Sequence, residues 1–174
     1  AEFFVKKNTG KLTGWISYTL AKSERKVEGI NRGDWYPTRF DRLNNLSVVA
    51  AYELTKKWSF SANFVYSSGT PATFPTNRYE IQGIVVPHNI DQSRNNFRIP
   101  DYHRLDISAT LTPEKNNDRR WKGEWVFSVY NVYSRRNPFS IFFEQDQENP
   151  IITEAIRFSV IGNFVPAVSY NFSF

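Results

Sequence analysis

The chain has no cysteine, no methionine, only two histidines and few glycines, and no hydrophobic run of any length. Each absence removes a class of protein. Without cysteine there is neither a disulfide framework nor a thiolate metal site. Without an apolar run approaching the roughly 20 residues that a spanning helix needs, a helical membrane protein is excluded. That does not exclude a membrane, because strands that alternate lipid-facing and lumen-facing residues are, taken whole, no more apolar than those of a soluble protein. Position 1 is not methionine and no leader of charged, apolar and small-residue regions is present, so the chain reads as mature, proteolysed or truncated at its start. The net charge is +5, yet Lys and Arg are scattered among acids over turns and loops. With no basic stripe on one face, nucleic acid is not the expected partner.

What the chain has in quantity is aromatic residues and alternation. Reading back from Phe174 by twos gives Phe172, Tyr170, Val168, Pro166 and Phe164, against Ser173, Asn171, Ser169 and Ala167 on the other parity. Side chains in a strand point to opposite faces with period two, so this is a strand with one apolar face and one small, polar face. The same pattern recurs in Leu12, Gly14, Ile16, Tyr18 and Leu20, in Leu46, Val48, Ala50, Tyr52 and Leu54, and in Trp58, Phe60, Ala62, Phe64 and Tyr66. It returns in Leu105, Ile107, Ala109 and Leu111, and less cleanly in Trp125, Phe127 and Val129, where Val126 breaks the rule. None of these segments has helical periodicity. The predicted strands are 2–7, 12–22, 45–54, 58–67, 104–112, 123–133 and about 156–174, seven in all. Residues 139–144 are predicted to form a separate hairpin with residues before Ile156.

The connections carry as much information as the strands. Short polar turns at 8–11, 55–57 and 113–120 alternate with long excursions at 23–44, 68–103 and 134–155. Long structureless loops are uncommon in compact soluble domains, whereas outer-membrane barrels have short turns on one side and long loops on the other. Trp15, Trp58, Trp121 and Trp125 all fall near a short turn, as an interfacial aromatic belt requires, although Trp15 has the parity of the polar face. The expected fold is therefore all-β, an antiparallel transmembrane β-barrel segment. Its odd strand count marks it as part of a larger barrel, since bacterial single-chain barrels normally have an even number.

The stretches GKLTGWISYTLAKSER, GINRGDWYPTRFDRLNNLSVVAAYEL, KWSFSANFVYSSGTPATFP, YHRLDISATLTP, WVFSVYNVYSRRNPFSIFFE and VPAVSYNFSF, in this order, resemble the C-terminal barrel portion of TonB-dependent outer-membrane receptors. The branch they resemble most carries a carboxypeptidase-regulatory-like domain before the plug. The resemblance covers nearly all of residues 1–174. It implies about seven strands of a 22-stranded barrel in the outer membrane of a Gram-negative bacterium, with the plug and earlier strands absent from this sequence. It further implies capture of a nutrient such as a siderophore, glycan or peptide, and import driven by the inner-membrane protein TonB acting through the plug. The implied partners are the missing plug and strands, TonB, the barrel-assembly machinery, a surface lipoprotein lid, and lipid or lipopolysaccharide. The contrasting expectations are a soluble all-β ligand-binding domain, such as a carbohydrate-binding sandwich, and a small outer-membrane adhesin or enzyme barrel.

Candidate chemistry is thin. His88 and His103 with Asp91, Asp101 and Asp106 lack the spacing of a metal or acid–base site, and rim or loop hydrogen bonding is the favoured reading. Ser67-Ser68-Gly69 lacks the strand–nucleophile–helix elbow of a hydrolase. Glu144, Asp146 and Glu148 suggest calcium, or more simply a solvated loop tip. No catalytic residue, metal or cofactor is expected. Ligand binding is assigned to the outer loops at Trp35, Tyr36, Arg39 and Arg42, where a turn exposes aromatics beside arginines, with locking of the loop against its neighbour as the equal alternative. Asn45, Glu53, Asn63, Arg104 and Asp106 are assigned to a wall facing the plug, and Tyr170, Phe172 and Phe174 to the terminal assembly signal.

Overall fold

Alternating side chains commit the chain to strands, and seven of these pair into one antiparallel sheet in which each strand's neighbours are the strands before and after it in sequence. In the computed structural model, which describes residues 1–82, 84–89, 92–113, 121–146 and 153–174, they are β1 (Glu2–Lys7), β2 (Leu12–Leu20), β3 (Asn44–Glu53), β4 (Trp58–Ser67), β5 (Tyr102–Leu111), β6 (Lys122–Tyr130) and β7 (Val165–Ser173). β1 and β7 each have a neighbour on one side only, so the sheet is open. Among the described residues no helix is long and apolar enough to cross a membrane.

The register joins the apolar parities of all seven strands. One rung runs Leu12–Tyr52–Phe60–Ala109–Phe127–Val168 from β2 to β7, and another runs Val5–Ile16–Val48–Phe64–Leu105 from β1 to β5. The intervening rung on the opposite face reads Thr13–Ala51–Ser61–Ser108–Ser128–Ala167. A slip of one residue in any pair would interrupt both faces at once. Lys7, at the turn end of β1, is the one Lys, Arg, Asp or Glu of these strands in apolar register. Val126 sits on the polar face opposite Thr110 and Ser169, so it is an apolar residue among small ones and leaves the pairing intact.

Among the described residues nothing packs as a second layer on either face. Tyr36 and Val85 are the buried apolar residues among those described, and both belong to the long excursions. Phe172 and Val168 are 55% and 61% exposed, and Tyr52 and Phe60 are also exposed. Burying a Val, Leu or Phe side chain is worth about 1.5–3 kcal/mol, so the chain as it stands forgoes that gain along an entire sheet face.

The apolar face is bounded by aromatics at both ends. At the short-turn end Trp58 lies 6.3 Å from Phe60 and 6.5 Å from Phe127, Trp125 lies 4.8 Å from Tyr170, and Trp121 stacks on Phe172 at 4.7 Å. At the loop end, Tyr18 donates to Asn44 Oδ1 at 2.7 Å and Tyr66 to Asp101 Oδ2 at 2.6 Å, while the Tyr133 hydroxyl meets His103 Nδ1 at 2.8 Å. Trp15 has the opposite register and lies 6.0 Å from Phe4 on the polar face, in keeping with its parity.

The long excursions are richer in structure than their composition suggests. They contain the hairpin Asn77–Ile81 with Ile84–His88 and the short pairs Glu24–Arg25 with Tyr36–Pro37 and Pro71–Ala72 with Phe97–Arg98. The expected last strand over 156–174 is two elements. Thr153–Phe158 pairs with Ser140–Gln145 in an outer hairpin, and only Val165–Ser173 joins the sheet. The expected hairpin therefore exists, but its second arm runs past Ile156, with Phe142 opposite Ile156 and Ser140 opposite Phe158. Gly162-Asn163 marks the interruption, a turn signal inside what reads as continuous alternation. The turn after β5 falls largely on residues 114–120, outside the described residues.

Gly123 lies under the Tyr170 ring, where a Cβ would come within 2.0 Å of the phenol oxygen. Gly123→Leu is expected to lift that ring and destabilise the assembled protein by about 1–3 kcal/mol, the usual range for overpacking. Denaturant unfolding followed by tryptophan fluorescence measures this, and Tyr170→Ala in the same chain should recover much of the loss.

Candidate functional site

Polar groups concentrate where the polar face meets the long excursions. Alternation puts Tyr102, Arg104 and Asp106 of β5 on this face, with Tyr130 at the end of β6 beside them. The Arg104 guanidinium pairs with Asp106 at 2.9 Å, donates to the hydroxyls of Tyr102 at 2.9 Å and Tyr130 at 2.6 Å, and lies 4.1 Å from the centre of the Tyr130 ring. The other Asp106 oxygen accepts the backbone N–H of Asn131 at 2.9 Å. Two ionic groups on a half-buried wall are thereby compensated by each other and by neutral donors and acceptors.

Two asparagines continue the sheet where the backbone leaves it. Asn137 accepts the His103 N–H at 3.0 Å through its side-chain oxygen and donates its amide to the His103 carbonyl at 2.9 Å, so a side chain takes the place of a paired strand residue. Asn131 is fully buried, with φ of 56°, and its amide binds the carbonyls of Arg135 and Asn163 while its oxygen accepts the Arg135 N–H. Asparagine suits both tasks because it tolerates the left-handed region and carries a donor and an acceptor.

A second cluster ties the first two excursions together. Asp41, 1% exposed, accepts the Ser23 N–H at 2.5 Å and forms an ion pair with Arg98, which also donates to the carbonyl of Gly69 at 3.1 Å. Gly69 is required here, since a Cβ would fall 1.6 Å from the Ile99 carbonyl oxygen. Asp101 accepts the Gly69 N–H at 2.9 Å and the Tyr66 hydroxyl. The Tyr66 hydroxyl first, and the Gly69 N–H second, hold the Asp101 carboxyl below the usual carboxylate range. Burial raises the Tyr133 hydroxyl above its ordinary value. Between these clusters lies a half-open hollow of about 370 Å³ that Arg42, Tyr102, Arg104 and Tyr130 line together with apolar loop residues.

Of the residues assigned to loop binding, Arg42 reaches this hollow, where it donates to Ser67 Oγ at 3.2 Å. Trp35 and Arg39 are exposed elsewhere on the first excursion. Tyr36 is 6% exposed and paired with Arg25, so the expected patch of two exposed aromatics reduces to Trp35 alone. Asn45, Glu53, Asn63, Arg104 and Asp106 share one face, with Asn63 directly opposite Asp106, and Glu53 at the far, short-turn end. Tyr170 and Phe172 occupy the apolar face of β7, and Phe174 follows it, 86% exposed.

The candidates for chemistry are dispersed. His88 lies in an outer hairpin against Tyr79, whereas His103 is in β5, and Asp91 and Glu148 fall outside the described residues. Glu144 stands opposite Glu154, and no group of three metal-ligating side chains occurs among the described residues. The Ser67 hydroxyl donates to Asn45 Oδ1 at 2.8 Å and Ser68 Oγ accepts from the Asn44 N–H and amide, which leaves neither serine beside a base. The polar groups that sequence reasoning missed are Asp41, Arg98, Asn131 and Asn137. A signal existed for Asn137, since Asn-Pro at the end of a charged run is a turn marker; nothing in the sequence distinguishes Asp41 from any other loop acid. No family model matches the chain, and neither does any curated protein or solved structure.

Arg98→Met leaves the buried Asp41 carboxylate without its counter-charge, at a cost of about 3 kcal/mol. Limited trypsin digestion should then cut residues 23–44 and 68–101 faster, with the sheet core intact. For Asp101 the folded-state value is lowered, so its stabilisation is complete above the unfolded value and is lost as pH falls through the folded one, below about 4. Amide exchange at Gly69 should accordingly be unchanged between pH 7 and 5, after correction for intrinsic rates, and Asp101→Asn should accelerate it throughout.

Proposed function

We propose that this chain is the closing part of an outer-membrane β-barrel of the TonB-dependent receptor kind, and that the whole protein captures a nutrient at the cell surface and imports it. The observation that carries this reading is a one-layer, sequential antiparallel meander whose apolar face is exposed and bordered by aromatics at both ends. Trp58 and Tyr66 lie eight positions apart on one strand, a run of about 26 Å at strand rise, or about 20 Å along the normal at a tilt near 40°. Lipid accounts for such a band; water does not. The tyrosine hydroxyls at the loop end, each turned to a polar partner, fit the interfacial level.

Short turns then face the periplasm and the excursions face the medium. Asn45, Glu53, Asn63, Arg104 and Asp106 look into the lumen and toward the plug, where charge is tolerated. The open edges of β1 and β7 receive the remaining strands of a 22-stranded wall. Tyr170, Phe172 and Phe174 present the terminal aromatics to the barrel-assembly machinery. TonB acts through the plug, a surface lipoprotein lid can cover the excursions, and lipid and lipopolysaccharide contact the outer face. A soluble binding sandwich would need a second sheet on the apolar face, and none is formed by the described residues. An adhesin or enzyme built as a small barrel would need β1 and β7 to close on each other.

Phe64→Arg tests the assignment of faces against its neighbour Asn63→Arg. Arginine at mid-depth on the lipid side costs about 2–4 kcal/mol, and on the lumen side far less. Expression in outer membranes, read as heat-modifiable migration of the full-length protein, should fall for Phe64→Arg and stay near wild type for Asn63→Arg. Equal damage from both would overturn the assignment, and a wild-type chain that stays monomeric in buffer without detergent would overturn the membrane reading.

A further inference from the structure

The hollow at the loop end of the polar face combines features that its structural role leaves unused. Two arginines line it and no carboxylate does, among the described residues. Arg104 is already compensated by Asp106. Arg42 is exposed and, among the described residues, makes one hydrogen bond, to Ser67, so most of its planar fork is open to a ligand. The Tyr102 and Tyr130 oxygens both accept from Arg104, and neither hydroxyl can aim its own proton at a cation. Even with one proton shared between the two phenols, the other remains to donate into the hollow. Above this donor-rich floor stand Phe139, Val160 and Ile161, 72%, 64% and 50% exposed. These lie on the excursions, where an apolar band facing lipid gives no reason for them.

We propose that this hollow binds an amphipathic carboxylate, the acid group held by Arg42 and the tyrosine hydroxyls and the apolar body covered by Phe139, Val160 and Ile161. A planar guanidinium matches a carboxylate through two parallel N–H donors, and the phenols add a neutral donor from the side. A neutral sugar would leave Arg42 uncompensated, and a cation would meet two arginines. The volume lies within the range of small-molecule sites. The inference rests on the reading above only in taking this face as the one in contact with water.

The test uses the full-length receptor in lipid nanodiscs, with empty nanodiscs as blank, and the probes 3-phenylpropanoate and its neutral amide, followed by saturation-transfer NMR and calorimetry. The acid should bind saturably and at least ~10-fold more tightly than the amide, the scale of one charge-assisted hydrogen bond. Arg42→Gln, a change at an exposed position, should erase that preference while leaving heat-modifiable migration unchanged. Phe139→Ser should weaken acid and amide alike. Equal binding of acid and amide, a preference that survives Arg42→Gln, or no binding by a correctly assembled receptor would each overturn the proposal. Failure of the membrane reading is separately visible: the chain would then be soluble without nanodiscs, and the same acid-against-amide comparison in buffer would still decide the site.

Discussion

Everything in this chain depends on register. Seven strands keep the same parity through six successive pairings, so residues that are apolar at every second position become one uninterrupted apolar face. No core fixes that register, because among the described residues no second layer packs on the sheet. It is fixed by the backbone ladders, by short turns such as the one in which Thr55 Oγ1 accepts the N–H groups of Lys57 and Trp58, and by aromatic pairs between neighbouring strands. A sheet stabilised in this way is complete in its hydrogen bonds along its interior and incomplete on its apolar side. Its environment must supply the missing contact.

The loop end solves a different problem. There the chain leaves the sheet three times, and each departure exposes N–H and C=O groups that need partners. Side chains provide them: Asn137 for His103, Asn131 for Arg135 and Asn163, and Asp41 for Ser23. Arg98 neutralises the buried Asp41 and Arg104 the half-buried Asp106. The rim that results is stiffened by local charge pairing and keeps Arg42 outside the network. That division, compensated charges below and an available one above, distinguishes the hollow from the rest of the polar face.

Period-two alternation was sufficient to locate six of the seven sheet strands to within a few residues, because a half-exposed strand writes its two faces directly into its sequence. The grouping of Asn45, Asn63, Arg104 and Asp106 on one face followed from the same parity. The last strand was misread because Ile156, Phe158 and Val160 alternate as well as a wall strand does, although Thr153–Phe158 pairs outside the sheet. Alternation reports that a segment is a strand and is silent on its partner. The rim clusters were illegible for the same reason. Asp41 and Arg98 lie far apart in sequence, and only the folding of two excursions brings them together.

The order of strands in the sheet also has a kinetic consequence. β1 with β2 and β3 with β4 are joined by short turns, and β5 with β6 by a moderately short one, whereas Leu20 to Asn44, Ser67 to Tyr102 and Tyr130 to Val165 are several times longer. Closure entropy grows by about 0.6 kcal/mol for each doubling of length, so roughly two to three doublings separate the two sets by between 1 and 2 kcal/mol. Hairpins therefore zip on their own before the excursions draw them side by side, and the sheet grows by twos. The seventh strand has no hairpin mate within this chain, and its connection to β6 is as long as the one between β4 and β5, so it joins the sheet as a single strand and not as half of a hairpin.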